Sequence, residues 1–364
     1  MSRVATATIS IDALKHNLSV VRQLAPQSKV LAVIKAHAYG HGMLTVASAL
    51  QNADAFAVAH LEEAVVLRQH NPEKPIVLLQ GFTNITELET LISLQISPVI
   101  HSFYQIGILE QNSTPEQFNA WLKVDTGMNR LGIASDKIGE AWARLNNITQ
   151  LKNNVRIMSH FANADDLKNP HTQEQINLFN YVTETFQAEK SLANSAGLMG
   201  WQTSHYQWVR PGIMLYGVSP FVGKQASDHN LKPVMTLQSS IIAINDLKKT
   251  QALGYGSKWQ AQKDTQIAVV ACGYGDGYPR HIKEQTKVLI KGQYYPIVGT
   301  VSMDMICVDL GDSHQVKVGD GVTLWGKGLP VEEIAESAGT IAYELLCQVT
   351  SRVKFEAENK NGKN

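Results

Sequence analysis

The chain has 364 residues, with 32 Lys+Arg against 32 Asp+Glu and a formal net charge of zero. Hydrophobic residues make up 44%, enough for a real core, which excludes a disordered chain; the charge balance lacks the basic surplus of a nucleic-acid binder. Cys272, Cys307 and Cys347 are odd in number and lack C-x-x-C spacing, MSRVATATISIDALKHNL holds no signal-peptide core, and no apolar run reaches the roughly 18 residues of a membrane span. These features predict a cytoplasmic protein with reduced thiols and no membrane contact.

In chain order, Leu14, Leu18, Val21 and Leu24 give residues 12–24 helical spacing. VLAVI (30–34) follows, an apolar run that fits a strand buried on both faces, ending in Lys35. A Gly-containing loop (38–42) leads to a helix over 43–53. The unit then recurs: AFAVA (55–59), PIVLL (75–79), PVI (98–100), AWLKVD (120–125), VRIMSHF (155–161), SLAN (191–194) and WVRPG (208–212) are further strand ends, most followed by helical stretches. Eight βα units predict a closed (β/α)8 TIM barrel over residues 1–231. From 232 to 364 the texture changes to β-like runs punctuated by Gly and Asp, with one helix near 331–339, which predicts a mainly β domain.

In a barrel the chemistry sits at the C-terminal strand ends. There the sequence puts Lys35, Lys123, Arg130, His160, Asn194, Ser195, Arg210 and Gly212. This cationic mouth suits an anionic ligand, in particular a phosphate. Plain alternatives stay open: Lys35 as a lysine reaching solvent, His160 as a satisfied core histidine, Ser195 and Gly212 as turn formers. GYGDG (273–277) has the wrong spacing for a dinucleotide loop. No His, Cys or carboxylate cluster has convincing metal spacing, so no metal is expected. The chemistry that fits is that of pyridoxal 5'-phosphate, whose aldehyde forms a Schiff base with a lysine amine. Backbone N–H groups at Gly212 and Ile213, with hydroxyls such as Ser195 and Tyr39, suit its phosphate.

AVIKAHAYGHG (32–42) and KVDTGMNRLG (123–132) strongly resemble the alanine racemase family. So do MSHFANAD (158–165), NSAG (194–197), VRPGIMLYG (209–217), GYGSKW (254–259), GYGDGYPR (273–280), GTVSMDM (299–305) and AYELLCQVTSRV (342–353). The resemblance runs through essentially the whole chain in family order. It implies a barrel followed by a β domain, a head-to-tail homodimer with shared sites, and L-/D-alanine as substrate, feeding peptidoglycan or catabolism. It implies that Lys35 carries pyridoxal phosphate, that Tyr39, Ser195, Gly212, Ile213 and Tyr343 hold its phosphate, and that Arg210, oriented by His160, faces the pyridine nitrogen. Arg130 and the Met303 N–H would bind the substrate carboxylate. Lys35 and Tyr255 would be the two acid/bases, with Tyr255 and Met303 coming from the partner subunit. Asp304 and Tyr274 match positions near the entrance. Lys123 matches a lysine that is carbamylated in some members, against the alternative of an ordinary lysine paired with a carboxylate. His37 departs from the family, which often has Asn there.

Racemisation removes the Cα proton on one face and returns one on the other, so one group per face is required. A free amine has a pKa of about 10.4 and a phenol about 10, so the site must lower at least one. A guanidinium at the pyridine nitrogen donates hydrogen bonds only, which weakens the ring as an electron sink and favours racemisation over transamination. A racemase of serine or another amino acid, a decarboxylase of basic amino acids, and a non-enzymatic pyridoxal phosphate protein on a lone barrel are the competing readings; the VDTGMNRLG and GYGSKW blocks and the β domain weigh against the last two.

Overall fold

The computed structural model describes residues 5–112 and 116–359. Strand β1 (Thr6–Ser10) leads into a helix over Ile11–Leu24, whose N-terminus is capped by Ser10 Oγ accepting from the Ala13 N–H at 3.2 Å. The barrel strands follow: β2 (Lys29–Val33), β3 (Ala55–Val58), β4 (Ile76–Leu78), β5 (Ile96–Ile100) and β6 (Ala120–Asp125), then, after a short β7 (Ile133–Ala134), β8 (Val155–Met158), β9 (Lys190–Ser191) and β10 (Trp208–Val209). Every neighbouring pair is parallel, and β10 pairs with β2 while β5 pairs with β6, which closes an eight-stranded ring. β7 adds outside the ring, beside β6. Strands β3 and β4 are buried at every position, as a parallel sheet covered on both faces requires.

The second layer is antiparallel. Strands β11 (Met235–Leu247), β14 (Thr265–Val270), β15 (Lys287–Ile290), β16 (Gln293–Val298), β17 (Ile306–Gly311) and β18 (Gly321–Trp325) pair in the order β11–β14–β17–β16–β15–β18 and back to β11, a closed six-stranded ring. The short pair β12 (Ala252–Leu253) and β13 (Trp259–Gln260) forms a separate arm. β11 serves neighbours on both sides because its register shifts between Leu237 and Gln238 and again between Ile241 and Ala243.

Two features differ from the sequence expectation. β1, a strand not expected from the sequence in a stretch assigned to the barrel, pairs with β11 and with the last strand, β19 (Lys354–Glu358), so the first strand lies in the second sheet. A helix over Ala342–Gln348, not expected from the sequence, packs back onto the barrel mouth. There Gly40, at φ +78°, lets the barrel chain approach so closely that a Cβ would fall 2.1 Å from Leu346 O. No helix among the described residues is long and apolar enough to cross a membrane.

One buried side chain helps fix the segment that leaves the barrel. Asn17 donates to Leu215 O (3.0 Å) and Lys232 O (2.9 Å) and accepts from the Lys232 N–H (2.8 Å). An Asn17→Ala variant strands these groups, so the loss expected in urea unfolding is about 2–4 kcal/mol; a loss below about 0.5 kcal/mol would contradict that role.

Candidate active site

At the C-terminal ends of the barrel strands lies a cavity of about 580 Å³. Lys35 enters it from the end of β2, Lys123 from within β6, Arg130 from the following loop, His160 just beyond β8, and Asn194 and Ser195 beyond β9. Arg210, Gly212 and Ile213 enter beyond β10, and Tyr39 and Tyr343 close the side nearest the second domain. Tyr255 and Met303 do not line this cavity; both are exposed on the β domain, at 74% and 52%.

Lys35 opens a segment of unusual backbone. Ala36, His37, Ala38 and Tyr39 have φ of 53°, 53°, 57° and 51°, four successive non-glycine residues in the left-handed region. Such residues cost roughly 1–2 kcal/mol each, so the surroundings must impose the turn. Glu63 is one constraint: its carboxylate accepts from the His37 N–H at 3.1 Å and from the Ala59 and His60 N–H groups at 3.1 and 3.3 Å. His41 is another: its Nδ1 donates to Tyr39 O (2.8 Å) and Ala38 O (3.1 Å) while its ring packs on Tyr216. Tyr39 lies between Tyr216 and Tyr343, with ring centroids 4.7 and 6.0 Å away. A residue reading of 38–42 as a Gly-rich loop misses the turn because Ala and Tyr carry no left-handed signal.

Ser195 Oγ is buried and accepts from the Gly212 and Met214 N–H groups, at 2.9 and 3.3 Å. Arg210 is 4% exposed and fully engaged: Nη1 donates to Ser191 Oγ (2.7 Å), Nη2 to Ser159 O (2.5 Å) and Leu192 O (3.2 Å). None of these bonds goes to His160; Ser191 Oγ and two carbonyls hold the guanidinium. Those partners were not legible in the sequence, since carbonyls carry no residue signal. Cys347, expected only as a reduced thiol, also lines the cavity.

The electrostatics follow from crowding. Burial lowers the Lys35 pKa, Arg130 lowers it further, and Glu63 opposes. Lys123 is pushed down to about 8 by burial, then by Arg210 and Arg130. His160 is pushed well below its ordinary value by burial and by Arg210, with Lys123, Arg130 and Lys35 adding to the effect. It is therefore neutral at physiological pH. Burial raises the phenols of Tyr39 and Tyr343, so both remain hydroxyl donors. Among the described residues none of Lys35, Lys123, Arg130 and Arg210 is in an ion pair.

Fold and cavity together define a (β/α)8-barrel enzyme with an anion-receiving site. The family relationship is specific. Residues 9–220 match the model of the alanine racemase N-terminal domain and residues 234–357 that of the C-terminal domain. The chain is 48% identical over 354 residues to the alanine racemase of Aeromonas hydrophila, covering 97% of this chain and 99% of that protein. It is 49% identical over 347 residues to that of Shewanella woodyi (95% and 97%). The biosynthetic alanine racemase of Pseudomonas aeruginosa superposes with a TM-score of 0.95 at 39% identity, over 98% of this chain and 100% of that one. The alanine racemase of Bartonella henselae, solved with covalently bound pyridoxal phosphate, superposes with a TM-score of 0.90 at 30% identity, over 98% and 100%. The chain belongs to the alanine racemase family, whose members are pyridoxal phosphate-dependent isomerases.

The residues present fit that cofactor. A Cβ at Gly212 would lie 2.6 Å from Tyr39 Oη, so a side chain there would displace the Tyr39 hydroxyl from this wall. Lys35 offers an amine of lowered pKa with no ion-pair partner among the described residues, and the cationic lining suits a phosphate.

Proposed function

We propose that this chain interconverts L-alanine and D-alanine, with pyridoxal 5'-phosphate attached through Lys35. One observation carries the reading: in a chain of this family, Lys35, Lys123, Arg130 and Arg210 line a single cavity together with Ser195 and Gly212. The bound cofactor supplies the electron sink that acidifies the substrate Cα–H. The hydroxyls of Tyr39, Ser195 and Tyr343 and the Ile213 N–H would hold its phosphate, joined by the Gly212 N–H once it exchanges Ser195 Oγ for the phosphate. Arg210 would face the pyridine nitrogen beside His160; burial lowers its pKa only to about 10, so it keeps its proton at neutral pH. The planar fork of Arg130 suits the substrate carboxylate.

The two proton carriers are Lys35 Nζ on one face and the partner subunit's Tyr255 Oη on the other. The reading is a head-to-tail homodimer in which residues 1–231 hold the cofactor and residues 232–364 reach the partner's site, Met303 N–H included. Supporting it, Tyr255, Met303, Met305 and Tyr274 are exposed side chains on the β domain, as groups that reach a partner's site must be. A cytoplasmic enzyme supplying D-alanine for peptidoglycan, or catabolising it, fits the resemblance.

Two experiments test the assignment. In a chirality-resolved assay with pyridoxal phosphate, L- and D-alanine should each yield the other antipode; a larger kcat/KM for serine than for alanine would contradict the substrate. Tyr255→Phe should slow the L-to-D direction at least about 100-fold while leaving cofactor affinity unchanged, and equal loss of both would contradict the role.

Lys123 is proposed to be carbamylated. With its pKa near 8 rather than 10.5, its neutral, CO2-reactive fraction is about one tenth at pH 7 and half at pH 8. Carbamate occupancy should therefore rise with added bicarbonate between pH 7 and 9, as 13C NMR with labelled bicarbonate reads; a free amine throughout would refute it.

A further inference from the structure

Gln175 lies on the buried face of the helix over His171–Thr183, together with Thr172, Ile176, Phe179 and Thr183, and is itself 0% exposed. A buried glutamine is costly unless its amide is fully bonded. Here it is, and its partners come from two different strand ends. Its Oε1 accepts from the Ala162 N–H (3.0 Å); its Nε2 donates to His160 O (3.1 Å) and to Thr126 Oγ1 (3.2 Å). The amide orientation is fixed by chemistry, since the Ala162 N–H can only donate and the His160 carbonyl can only accept.

Thr126, 3% exposed, begins the loop that carries Arg130. Having accepted from Gln175, its hydroxyl lies 2.8 Å from Ser159 Oγ, and the carbonyl of Ser159 accepts Nη2 of Arg210. The same loop is braced at its base by Asp125 Oδ1, which accepts from the Gly127 and Asn129 N–H groups at 2.9 and 3.1 Å. Among the described residues Arg130 has no ion-pair partner, so its place depends on the loop beneath it.

We propose that Gln175 is a positioning residue of the racemase site: its amide locks the Arg130 loop, through Thr126, to the strand end that carries His160, and so presents the Arg130 guanidinium to the substrate carboxylate. The inference rests on the reading of Arg130 as the carboxylate ligand. Gln175 touches neither substrate nor cofactor. A loosened loop weakens the grip on the carboxylate while leaving Lys35 and the phosphate wall, which are held by other bonds, in place.

The test is steady-state kinetics with L- and D-alanine on the holoenzyme. Gln175→Met should raise KM about tenfold with kcat changed less than about threefold, and cofactor absorbance should be retained. Thr126→Val should move KM the same way, and Thr126→Ser, which keeps the hydroxyl, should restore it. In an Arg130→Ala background, Gln175→Met should add nothing further to KM. An unchanged KM in Gln175→Met, or the same fold-increase with and without Arg130, overturns the proposal. If Gln175→Met fails to fold, Thr126→Val decides, and a wild-type KM there overturns it equally. A wild-type KM in Arg130→Ala alone overturns the carboxylate reading of Arg130 and the proposal with it; a normal KM in Gln175→Met beside a raised one in Arg130→Ala overturns only the proposal.

Discussion

Four cations share one barrel mouth, and among the described residues no carboxylate is ion-paired with any of them. Arg210 is buried and Lys35 and Lys123 are half-buried, so for the two lysines desolvation acts together with repulsion from the neighbouring guanidinium groups. Both lysine amines lose affinity for protons, which leaves them better nucleophiles at neutral pH. The site favours an anionic guest for the same reason. A phosphate and a carboxylate, which the family's cofactor and substrate supply, relieve the repulsion that the protein alone leaves standing. The zero net charge does not conflict with this, because acidic residues are spent elsewhere: Glu189 pairs with Lys29 and Arg156, and Glu110 with Arg144.

Holding these groups at fixed positions requires the rest of the fold. The left-handed run after Lys35 is unfavourable alone, and it persists because Glu63, His41 and the helix over Ala342–Gln348 each constrain it. That helix belongs to the C-terminal part of the chain, and it brings Tyr343 to the cavity from beyond the barrel. The barrel therefore does not complete its own site. The sheet pairing of β1 with β11 and β19 ties the two parts together at the opposite end of the sequence as well.

Much of this was legible in the residues. Parallel strands buried on both faces read as short apolar runs, and the polar residue ending each run marks the catalytic face, so Lys35, His160, Ser195 and Arg210 could be placed from the pattern alone. β1 was not recovered, although Ala7 and Ile9 alternate with polar neighbours, because its partners lie some 230 and 350 residues away and periodicity says nothing about pairing. The anchors of Arg210 were hidden for a similar reason: Ser159 and Leu192 act through carbonyls that every residue has. Gln175 did leave a trace, as an amide on an otherwise buried helical stripe. Tyr255 and Met303 came only through family resemblance, since nothing local in the sequence sets these residues apart from other exposed side chains.

The central claim is that this cluster of cations exists to place one amine, that of Lys35, against the cofactor aldehyde. Borohydride reduction of the protein loaded with pyridoxal phosphate, followed by proteolysis and peptide mapping, tests it directly. The account predicts a single pyridoxyl label on Lys35. A label on Lys123 or on any other lysine, with Lys35 unmodified, would contradict it.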